Sequence, residues 1–266
     1  MKKLIIIAGL CSLENNNIPM QTAKFLKEET SKYPEIDFIF KASYDKANRT
    51  SIDSYRGVGI EKGINILLNI KNKLNVKLLT DAHNTMQARL LGHFSKIDCI
   101  QIPAFLCRQT DIVKTIAETG SIVNIKKGQF LSPDDIKHVI QKIEAVGNKQ
   151  IMVTERGACF GYHNLIVDYR SFMIMKKFGY PVIFDVTHSQ QKPSEGKETG
   201  GSTEFVIPMA TGAIATGNVD GLFFECHPNP KEAKSDKNTS LNFSQVKDLL
   251  YQTVKIWNVT QTLTRT

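Results

Sequence analysis

The chain has 266 residues, enough to bury one sizeable core, and its 41% hydrophobic and 23% charged residues are ordinary for a globular fold. No run of 18 apolar residues occurs, so the sequence offers no membrane-spanning helix. The net charge of +8 is scattered rather than gathered into an arm, which argues against nucleic acid and for small acidic, phosphorylated ligands.

The chain opens MKKLIIIAGLCSLE. Lysines, a short apolar run and a cysteine imitate a lipoprotein signal peptide. A secretory signal needs an apolar core of about 7–15 residues, and here Gly9 interrupts the run while bulky Leu10 precedes Cys11. A short β-branched run bounded by glycine reads as a buried strand. The five cysteines, Cys11, Cys99, Cys107, Cys159 and Cys226, are odd in number and form no CxxC pair. That argues against a disulfide framework and for a reducing compartment.

Seven more runs of the same kind follow: DFIFKAS from Asp37, KLLTDAH from Lys77, CIQIPAF from Cys99, SIVNIKK from Ser121, IMVTERG from Ile151, VIFDVTH from Val182 and GLFFECH from Gly221. Short continuous apolar runs suit strands buried on both faces of a parallel sheet. Helical periodicity lies between most of them. Over 60–74, Ile64, Leu67, Leu68 and Leu74 share a face, and over 110–119, Ile112, Val113 and Ile116 do. Ser132-Pro133-Asp134-Asp135 reads as a helix start, with Ser as N-cap and Pro at the first position. Helices are further predicted over 165–178, 205–215 and 243–259. The polar stretch 189–201 reads as a mobile loop after the seventh strand.

Eight strands alternating with helices predict an α/β (β/α)8 TIM barrel, one domain over residues 1–266. The rival is a doubly wound open sheet, but no GxGxxG follows a strand. A barrel carries its active site at the carboxyl ends of its strands. Those ends supply Cys11, Lys41, Asp81, Gln101, Lys126, Arg156, Asp185 with His188, and Glu225, with His83 a weaker candidate. Lys41, Lys126 and Arg156, with Gln101 as a neutral donor, suit a phosphate or carboxylate. Cys11, His188 and Glu225, with Asp236 beyond, suit a divalent transition metal. The loop KASYDKANRTS interleaves Lys41, Lys46 and Arg49 with Ser43, Asn48, Thr50 and Ser51, a mixture suited to phosphate.

KASYDKANRTSIDSYRGVG, TDAH, QIPAFLCRQTD, NIKKGQF, TERGACFGY, FDVTHS and FFECHPNP together resemble the 3-deoxy-D-manno-octulosonate 8-phosphate synthase family, in order from Cys11 to about Asp236. The resemblance implies a cytoplasmic homotetramer of barrels that condenses phosphoenolpyruvate with D-arabinose 5-phosphate for lipopolysaccharide synthesis. It implies Lys41, Ser43, Lys46, Gln101, Lys126 and Arg156 around phosphoenolpyruvate. Asn48, Arg49 and Thr50 would hold the sugar phosphate, with Arg49 and Arg108 candidates to reach across a subunit interface. Lys46, Asp81 and His188 are the catalytic candidates. Cys11, where the metal-independent branch has asparagine, implies a divalent metal (Zn2+, Fe2+ or Mn2+) on Cys11, His188, Glu225 and Asp236. The sequence departs from the family at Leu10 and Val58, where prolines are usual, and in KSDKNTS, which lacks Gly-Pro after the aspartate. Two other readings of the residues are a Schiff-base aldolase using Lys126 or Lys41 and a non-catalytic phosphosugar-binding module.

Overall fold

A computed structural model of the chain describes residues 2–14, 17–49, 51–93, 96–160, 162–192 and 200–263. All eight apolar runs form strands: β1 Leu4–Ser12, β2 Ile36–Ser43, β3 Lys77–Asp81, β4 Cys99–Ile102, β5 Ile122–Lys126, β6 Ile151–Glu155, β7 Val182–Asp185 and β8 Gly221–Glu225. Each pairs in parallel with the next, and β8 closes onto β1 through Ile5↔Gly221 to Gly9↔Glu225. The fold is therefore the closed (β/α)8 barrel, and the open-sheet rival is overturned.

The helices are α1 Ile18–Thr30, α2 Ile60–Leu74, α3 Thr85–His93, α4 Thr110–Glu118, α5 Ile136–Glu144, α6 Arg170–Lys176, α7 Val206–Ala215 and α8 Phe243–Leu263. Two of them, α1 and α3, are not among the helices that the sequence pattern predicts. In α3 only Ala88 and Leu91 are buried, too thin a stripe to read as periodic. Among the described residues no helix is long and apolar enough to cross a membrane.

Three local expectations need correction. The helix predicted over 165–178 is only α6: Leu165–Ile166 pairs antiparallel with Ala158–Cys159 instead. Asp168 then starts the helix by accepting the Arg170 N–H at 3.0 Å. Ser132 has the extended backbone of an N-cap but makes no capping hydrogen bond, and Pro133–Asp135 is a 3-10 turn ahead of α5. In the loop after β7, Gln191–Lys192 pairs antiparallel with Gly200–Gly201, and 193–199 lie outside the described residues.

Strand alternation decides which residues reach the barrel interior. Ile7, Ile39, Leu79, Cys99, Met152, Ile183 and Phe223 form one buried cluster inside the barrel. Ile6, Phe40, Leu78, Ile100, Val123, Val153, Phe184 and Phe224 belong to the shell packed against the helices. Two or four residues beyond the inner cluster, with the same parity, come Cys11, Lys41, Asp81, Gln101, Arg156, Asp185 and Glu225. The inward direction that fills the floor with hydrocarbon thus fills the mouth with charge. Gly9 sits between the two layers because nothing larger fits: a Cβ there would lie 1.9 Å from the Lys41 carbonyl oxygen.

Candidate active site

The mouth of the barrel holds a cavity of about 210 Å³ lined by Lys41, Lys46, Asn48, Arg49, Asp81, His83, Gln101, Lys126, Arg156, Asp185, His188 and Asp236, together with Phe105, Gln129 and Gln191. Most of the expected residues therefore converge. Ser43 is buried at the end of β2 without lining this cavity, and its hydroxyl has no hydrogen-bond partner. Arg108 is exposed and lines a different cavity with His138 and Lys142. Thr50 lies outside the described residues.

Two of the cations are tied to acids. Lys41, from β2, is 1% exposed and donates to Glu225 Oε1 at 2.6 Å. Lys126, from β5, bonds to Asp185 and sits 3.2 Å above the centre of the Phe223 ring. Burial lowers the Lys126 pKa from its ordinary 10.5 to about 8, only partly offset by Asp185. Burial opposes ionisation of Asp185 as well, but His188 and Lys126 hold it well below the usual carboxylate range.

Three other groups keep binding capacity in hand. Arg156, at the end of β6, donates through Nη2 to Gln191 at 2.8 Å, while its buried Nη1 has no partner. Arg49 donates through Nη1 to Ser235 at 2.6 Å, while its buried Nε has none. Burial would lower the Lys46 pKa, but the fields of Cys11, Glu225, Asp81 and Asp236 raise it well above the ordinary value. Lys46 is therefore a fixed cation. Unpaired buried donors facing a cavity are costly alone and are satisfied by an anion.

On the acidic side, Asp81 Oδ2 accepts from His83 Nε2 at 3.1 Å, and Asp81 Oδ1 is buried and unpartnered. Burial opposes ionisation of Asp81, and His83 and Lys46 overcome it, leaving an anion with one free oxygen.

The sulfur, imidazole and remaining carboxylates form a second cluster against the cavity wall. One ligand atom each from Cys11, Glu225 and Asp236 all lie within 4.8 Å of one another. The Cys11 thiol lies 3.1 Å from Ser235 Oγ and 3.2 Å from Asp236 Oδ2. His188 donates through Nδ1 to Asp185 at 2.7 Å, which turns Nε2 to within 3.5 Å of Glu225 and 3.6 Å of Asp236. Asp236 comes from a loop and takes a left-handed φ of 49°. The loop still delivers this carboxylate without the Gly-Pro that the resemblance would supply. Burial, then Asp236 and Glu225, push the Cys11 thiol pKa well up. Without a cation between them, these groups repel ionisation of the sulfur. One thiolate, one imidazole oriented by a carboxylate and two carboxylates are the donor set of a borderline-soft divalent ion, and the residues fit such a group.

Sequence reasoning missed Ser235, Gln129 and Gln191. None ends a barrel strand, so only the path of the loops brings them here.

The sequence profile of the DAHP synthetase I family matches residues 1–263. A 2-dehydro-3-deoxyphosphooctonate aldolase of Fusobacterium nucleatum subsp. nucleatum is 48% identical over 256 residues, covering 96% of this chain and 91% of the relative. The protein of the same name from Campylobacter jejuni subsp. jejuni serotype O:6 is 46% identical over 271 residues, covering 97% of this chain and 98% of that one. That from Francisella tularensis subsp. holarctica is 47% identical over 250 residues, covering 94% and 90%.

Proposed function

The chain belongs to the DAHP synthetase I family, and we propose that it condenses phosphoenolpyruvate with D-arabinose 5-phosphate and water, giving 3-deoxy-D-manno-octulosonate 8-phosphate and inorganic phosphate for lipopolysaccharide synthesis. The names of its relatives support this reading. The observation that carries it is one cavity lined by Arg49 and Arg156, which keep unpaired buried donors, and by His188 and Asp236, which gather with Cys11 and Glu225. The catalytic unit is the barrel over residues 1–266, working in the cytoplasm as a homotetramer.

Lys41, Lys46, Gln101, Lys126 and Arg156 hold phosphoenolpyruvate, with Ser43 at the end of the strand that carries Lys41. Asn48, Arg49 and Thr50 hold the sugar phosphate, helped by Arg108 from a neighbouring copy. Fixing both substrates head to tail supplies proximity. The vinyl carbon attacks the aldehyde carbon, forming the new C–C bond. Lys46 stays a cation and donates a hydrogen bond to the aldehyde oxygen as it gains negative charge; that oxygen takes up one proton, balancing the one that the attacking water gives up. The enol carbon, now electron-poor, takes up water, and Asp81 Oδ1 accepts the proton that water loses. The resulting hemiketal releases phosphate by C–O cleavage. His188 sits between Asp185 and the carboxylates and keeps that wall of the site ordered. Cys11, His188, Glu225 and Asp236 would hold a divalent ion, Zn2+, Fe2+ or Mn2+, which would supply Lewis acidity.

A second reading is favoured by the lowered pKa of Lys126, since a desolvated lysine is how Schiff-base aldolases obtain a nucleophile. One assay separates the two, and a binding module as well. Phosphate release from phosphoenolpyruvate that requires arabinose 5-phosphate, with no adduct on borohydride treatment, is expected. A borohydride-trapped Lys126 adduct would establish the Schiff base, and no phosphate release would leave only binding.

A further inference from the structure

Between the cation half and the sulfur half of the site lies one side chain that neither half accounts for. Ser235 is 4% exposed and stands beside Asp236 in the loop after β8. Its Oγ is 3.1 Å from the Cys11 sulfur and accepts from Arg49 Nη1 at 2.6 Å. Arg49 is spaced from β2 by the KASYDKANRTS loop, and Cys11 ends β1. No other described hydrogen bond links these two groups.

We propose that Ser235 is a positioning residue that ties the metal centre to the sugar-phosphate arginine, its hydroxyl holding the Cys11 sulfur on one side and the Arg49 guanidinium on the other. The proposal rests on the metal reading given above.

A hydroxyl has one proton and two lone pairs, so it can donate once and accept twice. Arg49 occupies one lone pair with a charge-assisted bond, and the Cys11 thiol donates to the other. That leaves the hydroxyl proton free to rotate to the sulfur once the sulfur is a thiolate. Toward a thiolate, Ser235 gives its proton and still accepts from Arg49. The same hydroxyl thus serves a loaded centre and an arginine on the sugar phosphate, and moving either end moves the other. The loop backbone beside Ser235 is itself hydrogen-bonded: Thr239 and Ser240 N–H both donate to the Asp236 carbonyl, at 3.2 and 3.0 Å, and Asp236 has a left-handed backbone. Alanine at 235 would leave the loop backbone intact and remove only the bridge.

The test uses the full-length protein loaded with Co2+, which reports a sulfur ligand by a sulfur-to-cobalt charge-transfer band. Ser235→Ala is expected to shift that band and to weaken metal affinity about 10-fold or more, the range for losing a hydrogen bond to a ligand. It is also expected to raise KM for arabinose 5-phosphate while KM for phosphoenolpyruvate stays put. Ser235→Thr, which keeps the hydroxyl, restores both. An unchanged band and metal affinity in Ser235→Ala, or an unchanged KM for the sugar phosphate, overturns the bridge while leaving the metal reading intact. Absence of the band in the unsubstituted protein overturns the metal reading first, and this proposal with it.

Discussion

At the residue scale the site is governed by which charges are already satisfied. Lys41 and Lys126 have acids at contact distance, whereas Arg49 and Arg156 each keep one buried nitrogen unpaired. Lys126 makes this pH-dependent. Its pKa is lowered from 10.5 to about 8, so it is a cation below that pH and neutral above it. Binding of phosphoenolpyruvate should therefore weaken as pH rises through about 8. Titration calorimetry should register proton uptake on binding just above that pH. Lys126→Arg, whose charge persists, should remove this limb of the KM profile. Cys11 makes a separate case. Cys11→Ala removes the only sulfur from the cluster, so purified protein should lose bound metal by elemental analysis and lose activity with it. Full activity of Cys11→Ala in the presence of a chelator would defeat the metal assignment.

At the element scale, the strands act as rails of fixed parity. Gly9 is paired with both Lys41 and Glu225, and its missing side chain lets those two approach each other across β1. Gly9→Ala would put a Cβ 1.9 Å from the Lys41 carbonyl oxygen, so β1 must separate from β2. The expected cost is about 4 kcal/mol or more, at the severe end for a point substitution, read as a fall in the urea midpoint. The same parity explains why strand ends were readable from sequence: a polar residue closing an apolar run on the inner face can only be a mouth residue. The helices were less readable. The pattern predicts one helix over 165–178, but Leu165–Ile166 pairs with Ala158–Cys159 in a ribbon, and the helix begins only after Asp168. Hydrophobic periodicity cannot tell a two-residue bridge from a helical turn.

At the scale of the whole molecule, the odd residue is Arg108. It is exposed, and the cavity it lines is not the one at the barrel mouth. Within one copy it does not line the mouth cavity, and the role proposed for it is one across a subunit interface. Mixing and reassembling two impaired variants checks this. Arg108→Ala keeps a good Lys46, and Lys46→Ala keeps a good Arg108. Mixed oligomers should regain activity that neither variant has alone, because some sites combine both intact residues. No gain on mixing, in assemblies verified to exchange subunits, would mean that Arg108 serves the site of its own subunit and would overturn the role across an interface.

The sequence by itself determined the eight strands, their burial on both faces and the polar residues that close them. Each of these is written in a local pattern of hydropathy, and a parallel barrel aims all such ends at one mouth. The candidate ligands Cys11 and Glu225 were legible for that reason. The tertiary structure alone decided how the charges pair and which donors remain open, because Lys41 and Glu225 are 184 residues apart in the chain and meet at 2.6 Å only when β8 closes on β1. It also decided the place of Ser235, Gln129 and Gln191. Loop residues carry no periodicity, so nothing short of the closed barrel fixes where their side chains arrive.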